Sequence, residues 1–323
     1  MELIVLGHDE VERLLPMEGC IAAMAEALTA LARGQAHQPL RSVFRPPDAP
    51  GFLGLMPAWR GTFGLKAVCI FPDNPARGLD AHQGVVLLSS GETGQPLAVL
   101  DASAVTAIRT AAVSAVATRL LARGQAGDLA LVGAGVQARA HVAAMAAVRP
   151  LRRIRLAARR PERARAFAAS VAAPVPIEIA DSVEAAVRDA DLIVTATSAR
   201  EPVVRREWIS PGAHINAVGA CVPSARELDD ATVAAGALFV DRRESTLAES
   251  GDYLFPARRG LIGPDHIRAE IGEVLAGLRP GRESEQDITI FKSLGLAIED
   301  LAAAELCLRA ARERGLGTRV VFS

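Results

Sequence analysis

The stretch Leu129 to His141, LALVGAGVQARAH, constrains this chain more than any other, because it reads as a buried strand running straight into a glycine-rich turn and then a helix. Gly133, Gly135 and Ala138 form the pattern G-x-G-x-x-A. In such a pattern the first glycine makes the tight turn, the second lets backbone approach a pyrophosphate, and the third small residue permits close helix–strand packing. The helix, opening at Val136 and Gln137, faces phosphates with free N–H groups and a partial positive charge. Alone the triplet is a weak signal in a chain rich in alanine and glycine. Its context strengthens it: Gly127 and Asp128 set off a strand Leu129 to Val132, Val136 to Val148 continues as an apolar helix, and Ile154 to Ala157 supplies a second strand. That is the strand–helix–strand unit of a dinucleotide site.

The alternation continues. Glu162 to Ser170 reads helical, Val175 to Ile179 extended, Val183 to Ala190 helical and Leu192 to Thr195 as an apolar strand, with further strands at His214 to Val218 and Leu238 to Val240. The expected sheet is doubly wound and extends to about Asp241. Before it lie a helix, Pro16 to Arg33, and extended segments around Ser42, Leu53, Leu65 to Phe71, Val85 to Ser89 and Leu97 to Leu100. These suggest a helix beside a mostly antiparallel sheet. Ala102 to Ala122 reads as a long alanine-rich helix, and Ser293 to Arg314 as an amphipathic one that returns to the N-terminal domain. The fold class is therefore α/β, a Rossmann doubly wound dinucleotide-binding domain (126–292) inserted in an α+β substrate and dimerisation domain (1–125 plus 293–323).

A chain of 323 residues accommodates two domains. Half of the residues are hydrophobic and 23% are charged, with a net charge of −1. That balance argues against nucleic acid or an anionic membrane as the main partner, since both call for a large basic surface. No terminal secretory pattern is visible, and no uncharged apolar run approaches the roughly 20 residues of a membrane span. Cys20, Cys69, Cys221 and Cys307 have neither C-x-x-C spacing nor histidine companions, so neither a metal site nor a disulfide framework is expected. A reduced, cytoplasmic protein fits that usage.

Chemistry is suggested by isolated cations in apolar or glycine-rich surroundings: Arg41, Lys66 in FGLKAV, His82 in DAHQG and Arg109 in TAIRTAA. A buried cation needs an anion. A substrate carboxylate is one candidate, gripped bidentately by arginine while lysine adds a point charge or a proton; a protein carboxylate is the other. His82 ranks second, because a lone histidine beside glycine is more often structural. Cys221, in INAVGACVPSAREL, follows a strand and lacks a flanking group that would acidify it, so it reads as a wall residue.

Six ordered blocks resemble the ornithine cyclodeaminase and mu-crystallin family: LRSV at Arg41, FGLKAV with IFPDNPARGLDAHQG, LDASAVTAIRTAAVSAVATRLLA, LALVGAGVQARAH, INAVGACVPSARELDD and FKSLGLAIEDLAAA. The resemblance spans nearly the full length. It implies a homodimer, with Arg41, Lys66 and Arg109 around the carboxylate of an amino or imino acid. It further implies cofactor contacts beginning at Arg109 and Thr110, continuing through Thr197, Ser198, Val218 and Gly219, and reaching Ser293 and Gly295 near the nicotinamide. One departure carries weight. Ornithine cyclodeaminases have an aspartate where Cys221 stands, and a thiol cannot anchor an ammonium group as a carboxylate does.

The resemblance therefore points to NAD(P)H-dependent reduction of a cyclic or linear 2-imino acid, such as Δ1-pyrroline-2-carboxylate, to an L-amino acid such as proline. Ornithine cyclodeaminase, alanine or N-alkyl amino-acid dehydrogenase, and a non-catalytic ligand-binding protein are the alternatives. For the cofactor, NAD-preferring units place Asp or Glu ~20 residues beyond the glycines. Here the second strand ends in Ala158, Arg159 and Arg160, and no carboxylate appears before Glu162. An arginine pair suits a 2′-phosphate, so NADPH is expected over NADH.

Overall fold

Apolar side chains at every second position turn the early part of the chain into strands: β1 (Glu2–Leu6), β2 (Ser42–Phe44), β3 (Phe52–Trp59), β4 (Thr62–Ile70), β5 (His82–Ser90) and β6 (Pro96–Asp101). In this computed structural model, which describes residues 2–321, Met56, Ala58, Val68, Val86, Leu88, Ala98 and Leu100 are buried on one face. The opposite face is apolar as well. Leu55, Leu65, Ala67, Val85, Leu87 and Val99 lie there in cross-strand register, each partly or fully exposed.

The helix Ala102–Leu121 follows, and then eight parallel strands: β7 (Asp128–Val132), β8 (Arg153–Ala157), β9 (Ile177–Ile179), β10 (Leu192–Thr195), β11 (His214–Ala217), β12 (Ala237–Val240), β13 (Ile267–Glu270) and β14 (Thr289–Lys292). Their order is β13-β12-β14-β11-β10-β7-β8-β9. Chain progress reverses at β7, which makes the carboxyl ends of β7 and β10 the topological switch point where ligands bind in such sheets. Finally the helix Ala297–Arg314 packs against β3, β4, β5 and the helix Met17–Ala32, and β15 (Thr318–Val321) pairs with β1. The first sheet thus runs β15-β1-β6-β5-β4-β3-β2. Its contact with the long helix is close: a Cβ on Gly64 would fall 2.9 Å from Leu301 Cδ1.

Two compact units result, one made of the residues up to Thr110 with those from Gly295 onward, the other of Ala111–Leu294. The chain changes unit inside the helix Ala102–Leu121, ahead of the turn near residue 125, because a helix shared by two units carries no turn signal at the change. This helix is long and apolar enough to cross a membrane by length and composition alone. It carries Arg109 and Arg119, and 72% of its most apolar window is buried, which marks a core helix.

The structure corrects two sequence expectations. The second sheet does not end near Asp241, since β13 and β14 extend it, and β14 inserts between β11 and β12. β13 is an edge strand that carries Arg268 and Glu270, and β14 pairs with β11 and β12, strands far from it in sequence, so neither stands out locally. The last long helix begins at Ala297, not Ser293, because Gly295 adopts φ +81°. That left-handed residue stops the helix from starting earlier.

Candidate active site

The dinucleotide fingerprint sits at the switch point of the parallel sheet. Gly133 follows β7 with φ +116°, and a Cβ there would fall 2.4 Å from the Ala196 carbonyl oxygen. Glycine is required on both counts. Gly135 caps the helix Val136–Ala146, and a Cβ on it would meet nothing within 4 Å, leaving open space over the first helical N–H groups. Val136 is exposed there, while Ala138 is buried against the sheet. The side chain of Gln137 is half-buried, and its carbonyl accepts a hydrogen bond from His141 Nδ1 at 2.7 Å. An open turn, a positive-φ glycine and a helix N-terminus fit a pyrophosphate.

Beside the turn, the chain after β10 and β11 brings Thr197 and Gly219 together: a Cβ on Gly219 would lie 2.2 Å from the Thr197 carbonyl oxygen. Ser198 is exposed, and Val218 is buried with its N–H donating to Thr195. Cys221 donates its thiol to the Val218 carbonyl at 3.3 Å and lies 3.9 Å from that of Ser293, itself buried just after β14. Arg159 and Arg160 stand exposed after β8, with Arg160 4.0 Å from Glu162. Their neighbours are committed elsewhere. Arg152 pairs with Asp128 and Asp191, Arg153 with Glu178, and Arg155 donates to the carbonyls of Ala185 and Arg188.

In the first unit the isolated cations form a cluster. Lys66 lies mid-β4, between Met56 and Val86 of the flanking strands, and is 4% exposed. Its Nζ is 2.7 Å from Asp300 Oδ2. Arg109 donates through Nε to Asp300 Oδ1 and through Nη1 to Glu299 Oε2, both at 2.8 Å. Arg41 donates to the Gly295 carbonyl at 3.3 Å, and a Cβ on Gly295 would strike the Arg109 guanidinium at 2.7 Å. Thr110, next to Arg109, is buried. Lys66 and Arg109 thus share Asp300, Arg109 also engages Glu299, and Arg41 lies alongside at Gly295.

The electrostatics follow from burial. Loss of water pushes the Lys66 ammonium down to about 8, Asp300 opposes that shift, and Arg109 and Arg41 add to it. Burial works to raise the Asp300 carboxyl, yet Arg109 and Lys66 hold it below its ordinary value. His82, exposed at the start of β5, has a lowered pKa through partial loss of water and then the positive fields of Lys66 and Arg109. No group of three or more His, Cys, Asp or Glu able to hold a metal occurs among the described residues.

Sequence reasoning found the cations and missed their partners. Glu299 and Asp300 sit in the first turn of the helix Ala297–Arg314, where acids ordinarily complement the helix dipole and attract no notice. The demand of buried cations for buried anions was the available signal. It also missed Glu227, Asp252 and Lys292, buried at the carboxyl edge of the parallel sheet.

Known proteins share this architecture. Mouse ketimine reductase mu-crystallin is 41% identical over 294 residues, covering 90% of this chain and 89% of that protein. The structure of Thermococcus litoralis Δ1-pyrroline-2-carboxylate reductase in complex with NADH and L-proline superposes with a TM-score of 0.96 at 38% identity, covering 98% of this chain and 100% of that one. An archaeal alanine dehydrogenase dimer with bound NAD gives a TM-score of 0.94 at 35% identity, with both chains covered in full (100%). Residues 1–315 match the ornithine cyclodeaminase/mu-crystallin family, and with these likenesses the chain belongs to that family.

Proposed function

We propose that this protein is an NAD(P)H-dependent oxidoreductase that reduces a cyclic or linear 2-imino acid, such as Δ1-pyrroline-2-carboxylate, to the corresponding L-amino acid. The observation that carries this reading is the cluster in which Lys66 and Arg109 meet Asp300 and Glu299 with Arg41 alongside at Gly295, a gathering of cationic donors of the kind that receives a carboxylate. Cys221, standing where a cyclodeaminase has its aspartate, removes the anchor for a distal ammonium group.

In this reading Arg41 and Arg109 hold the carboxylate and so orient the imine carbon. Asp300 keeps Lys66 and Arg109 in place by accepting from both. A reduced nicotinamide dinucleotide, its pyrophosphate held by the Gly133–Gly135 turn, would supply the hydride. Lys66, with its ammonium at about 8, is charged at neutral pH yet acidic enough to give a proton to the nitrogen, completing the CH–NH bond.

NADPH is the preferred cofactor in this proposal. Arg159 and Arg160 are exposed at the carboxyl end of β8, Arg160 with only the exposed Glu162 at 4.0 Å, whereas Arg152, Arg153 and Arg155 are held by closer partners within the protein. The protein is a homodimer through the outer face of the first sheet, where Leu55, Leu65, Ala67 and Leu87 form an apolar surface that a second copy would cover. Four free cysteines suit a reducing, cytoplasmic setting.

The likeness to an alanine dehydrogenase favours one second reading, reductive amination of a 2-oxo acid. One assay separates the readings. NADPH and NADH oxidation is followed with pyrroline- and piperideine-2-carboxylate, with pyruvate plus ammonia or methylamine, and ammonia release is followed with ornithine plus NAD. Rapid oxidation with the cyclic imines is expected. Activity confined to pyruvate plus amine, or to ornithine, would overturn the assignment.

A further inference from the structure

The fingerprint accounts for how phosphates are met, but two further loops flank it, and a single side chain ties them together. Glu227 lies in the irregular segment after β11 and is fully buried. Its Oε1 accepts from the Thr197 N–H at 2.7 Å and the Thr197 hydroxyl at 2.8 Å. Its Oε2 accepts from the Gly219 N–H at 2.7 Å and the Thr195 hydroxyl at 2.8 Å. Each oxygen therefore takes one hydroxyl, which can rotate, and one backbone N–H, whose direction the chain dictates.

The segment bearing Glu227 is itself held. Asp252 Oδ1 accepts from the N–H groups of Glu227 and Leu228 at 2.8 and 3.0 Å. Its other oxygen is 3.0 Å from Lys292 Nζ, which donates to the Ala220 carbonyl at 2.6 Å. The chain leaving β10 and that leaving β11 are thereby linked to the end of β14. The fingerprint leans on the same assembly: a Cβ on Gly133 would meet Ala196 O at 2.4 Å and Thr197 Cγ2 at 3.4 Å. One on Gly219 would meet Glu227 Oε1 at 2.5 Å.

We propose that Glu227 is the positioning residue of the dinucleotide site, an obligate carboxylate that holds the loops after β10 and β11 against the fingerprint turn. The inference rests on the dinucleotide reading of that site and adds the group that shapes it. Glu227 acts through Thr197 and Gly219. An amide in its place converts one oxygen of the buried side chain to a donor and turns it against the part-buried N–H of Thr197 or Gly219, which is the costly kind of hydrogen-bond loss. Aspartate keeps both oxygens on a shorter stem.

Binding of NADPH and of NADH to the full-length protein, followed by nicotinamide fluorescence, tests this for wild type, Glu227→Gln and Glu227→Asp, with thermal unfolding measured in parallel. The glutamine variant is expected to weaken both dinucleotides by about tenfold or more, in equal measure since the 2′-phosphate is not involved, and the aspartate variant to recover part of the loss. A glutamine variant that binds both like wild type, or that only melts earlier with unchanged affinity, overturns the inference. Should the glutamine variant fail to fold, the aspartate variant decides: wild-type affinity refutes, and a weakened, equal affinity for both supports. Wild type that binds neither dinucleotide would bring down the functional reading itself, and this inference with it.

Discussion

The turn at Gly133–Gly135 is made of backbone, whereas the cluster at Lys66 and Arg109 is made of side chains recruited from β4, the helix Ala102–Leu121 and the first turn of the helix Ala297–Arg314. In the turn, specificity comes from what is absent: no Cβ, open space, and no side-chain cap on the helix N-terminus. In the cluster it comes from charge counted against charge. A backbone site tolerates changes in its neighbours and punishes any added atom. A side-chain site does the reverse, tolerating little change of charge, because each partner removed strands another in the interior.

That contrast can be broken by experiment. The largest effect is expected from Lys66→Ala: turnover of the imino acid falls about a thousandfold, with dinucleotide affinity retained. Steady-state rates and nicotinamide fluorescence check it, and a parallel loss of dinucleotide binding would show that the two regions are not separable. Next, Gly133→Ala is expected to weaken dinucleotide binding at least about tenfold, because a positive φ alone costs an alanine about 1–2 kcal/mol and the 2.4 Å contact with Ala196 adds to that.

A pH profile sharpens the same point. If Lys66 acts as the ammonium, kcat/KM falls above about pH 8, roughly tenfold per unit. Stability moves the other way. The folded pKa of about 8 lies below the ordinary 10.5, so the unfolded chain binds the extra proton between those values. The contribution of Lys66 to stability therefore rises over that interval. Comparing thermal midpoints of wild type and Lys66→Met across pH 7 to 10.5 reads this sign directly, and a rate that stays level to pH 10 would exclude Lys66 as the proton source. Smaller still, Arg159→Ala with Arg160→Ala should lower NADPH affinity several-fold and leave NADH unchanged, as titration with each cofactor will show. Cys221→Ala should change turnover least, as expected of a wall residue hydrogen-bonded to the Val218 carbonyl.

The same contrast explains what could be read in advance. The alternation from Leu129 to Val240 was legible because each buried strand there is bounded by turns and followed by a helical stretch. Glycines were legible because backbone sites announce themselves by residue type. Cations interrupting apolar runs were legible too, and Lys66, Arg109 and Arg41 do lie in one cluster. What escaped notice was partnership. Asp300 is 234 positions from Lys66 in the numbering, and nothing local in AIED distinguishes a salt-bridging aspartate from an ordinary first-turn acid. Glu227 was illegible for the same reason, since its donors belong to residues 195, 197 and 219. Strand β14 was illegible because its partners, β11 and β12, surround it only in the finished sheet.

The late position of β14 has a consequence for how the protein is made. Strands β11 and β12 do not pair with each other, and the gap between them is filled by residues 289–292. The first sheet waits as well, for its covering helix Ala297–Arg314 and its edge strand β15. During synthesis from the N-terminus, neither unit can close until nearly the whole chain has emerged, so strand edges and apolar faces remain open for most of translation. Such long-range closure slows folding and favours aggregation of incomplete chains. Nascent chains released before residue 289 are therefore the species most in need of a chaperone.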